Sequence, residues 1–465
     1  MSCVGAALLA RRFGAGTAGA LLSGIVFAFA PFHVNHLLHL QTMAAAGLPF
    51  VFLFLDRYLE TARPTDAAAF GAAAVLTALC SCYFGVFLVL MIPIFLVLDR
   101  LVVRRLDAAR LAGFALTGSI AAALLVPVAA HYMEFEGEFG FTHSLKIAGR
   151  FSMQISSFTR LPDWTGLWSG TALARGRDLS SGFPGVAAAV LLVVGIFGFG
   201  ASKGERSRQT ALAGIALAAA AFALGPVLHV RAGHPISLPS WIPLPGRIFR
   251  LVRAVRWPMR IYFFTLLITG VLAGLGLTRL LRNRGRAVRR TIAASILAFV
   301  LLEYRPRAGH VLEHSSAVPP PLQMSDAYPF LASEKDLGGV VELPVAEPDG
   351  YRTPFLTRST FASAGHRRRV VAFFGGVPLP PVDNLLAAAL RLPSPASRRF
   401  LASSGVDRLV MHREWMPPNV GERLCGELRR AGYRPLFEGR EATVFDLGRQ
   451  EAGGISTVLP DSAER

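Results

Sequence analysis

Apolar residues in this chain are gathered into runs of about 15–20 residues, the length at which an α-helix crosses a ~30 Å hydrocarbon layer. The runs lie near 13–31, 41–56, 66–82, 83–99, 111–131, 183–202, 209–228, 260–279 and 289–304. Inside a bilayer no water satisfies backbone N–H and C=O groups, so each run must close its own hydrogen bonds as a helix. Composition agrees, because only 17% of the 465 residues are charged while 52% are hydrophobic, with a mean hydropathy of +0.45. That is too little charge to clothe a water-soluble globule of this size. The sequence predicts an α-helical polytopic membrane protein with about nine transmembrane helices over residues 1–304, the ninth being weakest because only 291–302 is uninterrupted.

The character changes after Tyr304. Residues 305–322, with "RPRAGHVLEHSSAVPPP", read as a polar, proline-rich linker, and 323–448 as a small soluble α/β domain. Strands are expected at 338–345, 407–412, 433–439 and 442–447, with helices near 382–391 and 418–431. Residues 449–465 read as a disordered tail. At the other end "MSCVGAALLA" resembles the close of a preceding helix, so the chain is expected to be truncated at its N-terminus.

Lys and Arg in short loops mark the cytoplasmic side. With the first span starting inside, Arg11 and Arg12, Arg57 and Arg63, Arg100 to Arg110, Lys203 to Arg208 and Arg279 to Arg290 fall in inner loops. Residues 32–40 and 80–85 hold neither Lys nor Arg, and the outer loop 132–182 balances five basic residues with five acidic ones. If the ninth span crosses, the C-terminal domain lies outside.

This topology absorbs much of the formal charge of +18, and no nucleic-acid-binding motif accompanies it, so nucleic acid is not expected as a partner. The outer loop 229–259 breaks the pattern. It carries Arg247, Arg250, Arg253 and Arg256 without an acid, and Arg260 follows at the membrane edge. Either these residues anchor the chain among lipid headgroups, or they form an anion site, since guanidinium forks suit phosphate oxygens. Cys3, Cys80, Cys82 and Cys425 offer neither a disulfide framework nor a paired zinc spacing.

The stretch "PFHVNHLLHLQ", residues 31–41, sets His33, His36 and His39 three residues apart between two apolar runs. On a helix they would step through ~120° in total, a broad face poorly suited to a metal. Interfacial punctuation and an active-site lip remain, the lip having Asn35 and Gln41 beside the imidazoles. A carboxylate base would be sought in "HYMEFEGEFGF", where Glu134, Glu136 and Glu138 alternate as in an extended segment with all three on one face. Asp163 and Asp178 are lesser candidates.

The segments 18–59, 180–199, 236–264 and 328–345, taken in that order, resemble the polytopic bacterial membrane glycosyltransferases of the GT-C superfamily and related membrane proteins. The resemblance spans most of residues 10–345, with a weaker echo at 403–412. It implies sugar transfer from a polyprenyl-phosphate donor to a glycan, lipid or protein acceptor on the outer face of the bacterial cytoplasmic membrane, with the C-terminal domain in the periplasm. Such proteins place a catalytic acid in the first outer loop. Residues 32–40 contain none, so that position is not carried over to any residue here: either the acidic loop lies upstream of Met1, or the chain has another chemistry or none.

The expected function is therefore an integral membrane glycosyltransferase. Glu134, Glu136, Glu138, His36 and His39 are catalytic candidates, and His33, Asn35, Gln41, Arg247, Arg250, Arg253, Arg256 and Arg260 are candidates for substrate binding. A divalent cation stays open as a cofactor. A transporter or flippase for a lipid-linked glycan, or a non-catalytic assembly partner, are the alternatives.

Overall fold

The apolar runs form helices that end where charge or an extended residue interrupts them. A computed structural model describes residues 1–36, 39–139, 145–174, 181–198, 202–226, 228–231, 234–235, 255–307, 320–335, 338–345, 353–371, 380–417 and 419–448. It divides into two units, Met1–Ser315 and Ser316–Arg465. The first holds α1 (Ser2–Arg12), α2 (Thr17–Phe29), α3 (Pro31–Asn35), α4 (Leu48–Thr61), α5 (Pro64–Cys80), α6 (Cys82–Leu98) and α7 (Ala108–Phe139). It continues with α8 (Leu145–Arg150), α9 (Val186–Phe197), α10 (Lys203–Ala223), a short antiparallel pair β1 (His229–Arg231) and β2 (His234–Pro235), α11 (Tyr262–Leu281) and α12 (Arg286–Tyr304).

Five helical segments are long and apolar enough to cross a membrane: Thr17–Asn35, Gln41–Thr61, Cys82–Val103, Ala108–Glu134 and Pro258–Leu281. The expected nine are not reached among the described residues. Helices α5 and α9 are apolar but only 17 and 12 residues long, while α10 and α12 begin with turns rich in charge. The expected linker 305–322 and the tail 449–465 lie largely or wholly outside the described residues.

Helix α11 is the axis of this unit, and glycine allows its close packing. A Cβ on Gly19 of α2 would sit 2.1 Å from the Gly274 carbonyl oxygen, and one on Gly276 would sit 2.0 Å from the Leu191 oxygen of α9. Within a bilayer such small-residue crossings bring backbones together where a hydrophobic driving force between helices is lacking. Helix α7 is the opposite case, since Leu116, Ile120 and Leu124 stand exposed. Its 32 residues at ~1.5 Å each are longer than a ~30 Å hydrocarbon layer requires.

Charge is concentrated at one end of the unit. The buried Asp56 carboxylate accepts from Arg12 at 2.8 Å, Arg105 at 2.9 Å and Arg208 at 2.6 Å, and Arg105 Nε also reaches Asp99 at 2.9 Å. The hub thus joins α1, α4, α10 and the π-helical turn Asp99–Val103 after α6.

The second unit is a mixed sheet covered on both faces. Its elements are α13 (Ala327–Ser333), β3 (Gly339–Leu343), α14 (Thr353–His366), α15 (Pro380–Leu390), α16 (Pro395–Ser403), β4 (Val406–His412), α17 (Val420–Arg430), β5 (Arg434–Glu438) and β6 (Ala442–Asp446). Strand order is β3-β4-β6-β5, with β3 and β4 parallel and the other pairs antiparallel. Val341, Leu409, Met411 and Phe445 pack in one core with Leu401, Cys425 and Leu428. Val340, Val410 and Val444 pack in another with Ala327, Tyr328 and Ala362. The sequence reading missed α13, α14 and α16.

Candidate functional site

At the end of the helical unit opposite the Asp56 hub, the histidine stretch meets the beginning of α11. Pro31 starts α3 after an extended Ala30, and the helix closes at Asn35, with His36 as its C-cap. His39 is the N-cap of a 3-10 helix, Leu40–Gly47. The three histidines therefore do not share one helical face, because His33 and His36 belong to α3 and its cap while His39 opens a separate 3-10 helix. Thr42 pins the turn, its hydroxyl reaching the carbonyls of His36 and His39, each at 2.7 Å.

His33 is packing. Its Nδ1 bonds the Phe27 carbonyl at 2.9 Å, and its ring meets Phe27 and Phe263 edge-on. His36 differs from it. Nδ1–H donates to the Phe32 carbonyl at 2.8 Å, which leaves Nε2 as a bare lone pair, buried and without a partner. Burial, with smaller contributions from Arg260, His39 and His33, pushes His36 down to about 3 against the opposing Phe32 bond. His39 is lowered by burial and Arg260.

Arg260 is the cation of the cluster and is 2% exposed. Its guanidinium stacks 4.6 Å from the Trp257 ring and 4.9 Å from the Tyr83 ring, and Trp257 in turn meets His39 at 5.3 Å. With its amide oriented oxygen-first, Gln41 accepts from Arg260 Nη1 at 3.2 Å and Nη2 at 3.0 Å, while Arg260 Nε keeps no partner. Phe151 stacks on Trp257 at 4.1 Å, and Arg256 lies 5.2 Å from the Phe151 ring. Such an aromatic cradle holds a guanidinium by cation–π attraction without neutralising its charge.

The other candidates divide. Asn35 is a brace, its side-chain oxygen accepting from the Trp164 indole at 2.7 Å. Arg247, Arg250, Arg253 and Asp178 lie outside the described residues. Glu134, Glu136 and Glu138 belong to the last turns of α7 and not to an extended segment. On a helix the alternation of an extended segment no longer applies, and Glu134 and Glu138, four residues apart, fall on one side. Among the described residues no group of three or more His, Cys, Asp or Glu is placed to hold a metal ion. Tyr83 and Trp257 were not anticipated, although "VRWPMRIYF" pairs aromatics with arginines at a span edge.

The second unit contains a separate polar cluster. Glu342 accepts from His412 Nε2 at 2.8 Å, the Tyr328 hydroxyl at 2.9 Å and the Ser359 hydroxyl at 2.8 Å, all buried. His412 stacks on Trp415 at 3.7 Å. A Glu among inward-facing valines of a strand was the signal for it.

No curated protein matches the chain. Residues 1–302, almost the whole helical unit and including the histidine–arginine cluster, match the model of a domain of unknown function, DUF6311. With the match covering well over half its length, the chain belongs to the DUF6311 family.

Proposed function

We propose that the protein binds a lipid-linked phosphate where His36, His39 and Arg260 meet, and transfers a sugar from a polyprenyl-phosphate donor to an acceptor hydroxyl. One observation carries this reading: Arg260 Nε and His36 Nε2 are both buried and unpartnered in one aromatic-walled cluster. Buried polar atoms without partners cost roughly 1–3 kcal/mol each, a deficit that a polar ligand relieves. In the transfer, the acceptor oxygen bonds to the anomeric carbon as the bond from that carbon to the phosphate oxygen breaks. The departing phosphate keeps the electron pair beside the Arg260 guanidinium, and the acceptor proton passes to His36 Nε2.

The polarity of the charges supports the placing. The Asp56 hub and its arginines occupy the opposite end, where the bias of Lys and Arg favours the cytoplasm, and on this reading the cluster lies toward the outer face of the bacterial cytoplasmic membrane. The second unit would then be periplasmic. Non-catalytic handling of the same lipid is favoured by one fact: among the described residues no carboxylate hydrogen-bonds to His36, His39 or Arg260.

The test is donor binding and sugar transfer by the full chain reconstituted in vesicles. Arg260→Gln is expected to weaken binding of a polyprenyl-phosphate sugar about tenfold or more, as loss of a charge-assisted contact does. Unchanged donor affinity overturns the proposal. Intact binding in the unaltered chain with no transfer to any acceptor leaves the non-catalytic reading.

A further inference from the structure

A surface groove lies at the charged end of the unit, away from the histidine–arginine cluster. Helices α1 and α4 touch at Gly5, where a Cβ would come within 2.9 Å of the Phe50 ring and 3.0 Å of Pro49. Toward the charged end Arg12 crosses from α1 to Asp56 and Glu60 of α4. Between these contacts the helices leave a surface groove of about 680 Å³, walled by Leu8, Phe50, Leu53 and Phe54 and edged by Arg11 and Arg57. The positions 50, 53, 54 and 57 follow helical spacing along one face of α4, so an apolar stripe ends in a guanidinium.

The charges at the mouth are not all spent within the protein. Arg57 meets Asp66 at 2.9 Å. Arg11 has the Thr17 hydroxyl at 3.2 Å and, among the described residues, no carboxylate. An apolar trough facing hydrocarbon is filled by a chain and not by water, and a guanidinium at its polar end selects a phosphate.

We propose that this groove binds one anionic phospholipid, its acyl chain against Leu8, Phe50, Leu53 and Phe54 and its phosphodiester between Arg11 and Arg57. The inference is independent of the transfer reaction. It concerns the opposite end of the unit, which the Lys and Arg bias assigns to the leaflet rich in anionic lipid.

Native mass spectrometry of the full chain, released from nanodiscs of phosphatidylcholine with or without an equal part of phosphatidylglycerol, tests it. One phosphatidylglycerol per chain is expected to resist stripping. Arg11→Gln, which among the described residues removes a single side-chain bond, that to Thr17, is expected to weaken retention about fivefold, and Arg11→Lys to restore most of it. Leu8→Trp, which fills the trough, is expected to remove the bound lipid while helical circular dichroism persists. Equal retention of phosphatidylcholine, or unchanged retention in Arg11→Gln, overturns the proposal. So does release of the lipid by inorganic phosphate alone, which would mark a site for free anions.

Discussion

The Trp164 indole donates to the Asn35 side-chain oxygen at 2.7 Å, joining segments 129 residues apart in sequence. This bond ties the last residue of α3, next to His36, to a distant segment. Asn35→Ala and Trp164→Phe are each expected to lower stability by about 1 kcal/mol. The double variant should cost little more than either alone, because both remove the same bond. Thermal unfolding in detergent measures it, and full additivity would show that the bond carries no coupling.

His36 makes the helical unit sensitive to acid. Burial first, and Arg260 after it, pushes the imidazole down to about 3 from the ordinary 6.5. Between those values the unfolded chain holds a proton that the folded chain refuses, so stability falls as pH drops through that window. Arg260→Gln is expected to raise the His36 pKa, and a phosphate bound beside Arg260 to raise it likewise. NMR titration of the His36 ring follows both shifts.

If His36 is the base, His36→Gln is expected to cost ~10²–10⁴ in transfer while donor binding persists. Glu134→Gln is the paired experiment. The same loss there, with none at His36, would move the base to the last turns of α7.

Asp56 holds three guanidinium groups at once. Asp56→Asn removes their shared buried partner, and breaking a buried ion pair on one side costs roughly 3–5 kcal/mol. The variant is expected to unfold at markedly lower temperature in detergent, with Asp56→Glu recovering part of the loss.

In the second unit burial would push the Glu342 carboxyl up, but the His412 hydrogen bond and charge, aided by Ser359 and Tyr328, hold it below its ordinary value of 4.5. A depressed folded value means that this stabilisation is present above about 4.5 and is lost as pH falls through the folded value. Glu342→Gln is expected to flatten that acid step and to cost roughly 1–3 kcal/mol at neutral pH. Trp415, stacked on His412, reports the change by fluorescence, with Trp415→Phe as the blank.

Much of the architecture was legible because its causes are local. Run length sets where a helix can cross a bilayer, and short runs rich in Val and Leu mark strands buried on both faces, so β3, β4, β5 and β6 fall on the four segments read as strands. The same rules misplace Glu134, Glu136 and Glu138. Their alternation resembles a strand, yet the preceding apolar helix simply propagates through them, since extending a helix costs less than ending one without a breaker.

The sequence by itself determined the apolar helices, the change of character after Tyr304 and the presence of histidines and arginines at span edges. Only the tertiary structure decided which of these meet. Arg260 reaches the histidine stretch because α11 packs on α2 through Gly19 and Gly274, which sets the two chain segments side by side at one end of the unit. His36 and His33 look alike in sequence. They part because the Nε2 of His36 is left without a partner beside a buried cation while His33 is packed against Phe27, a difference that resides in neighbours and not in spacing.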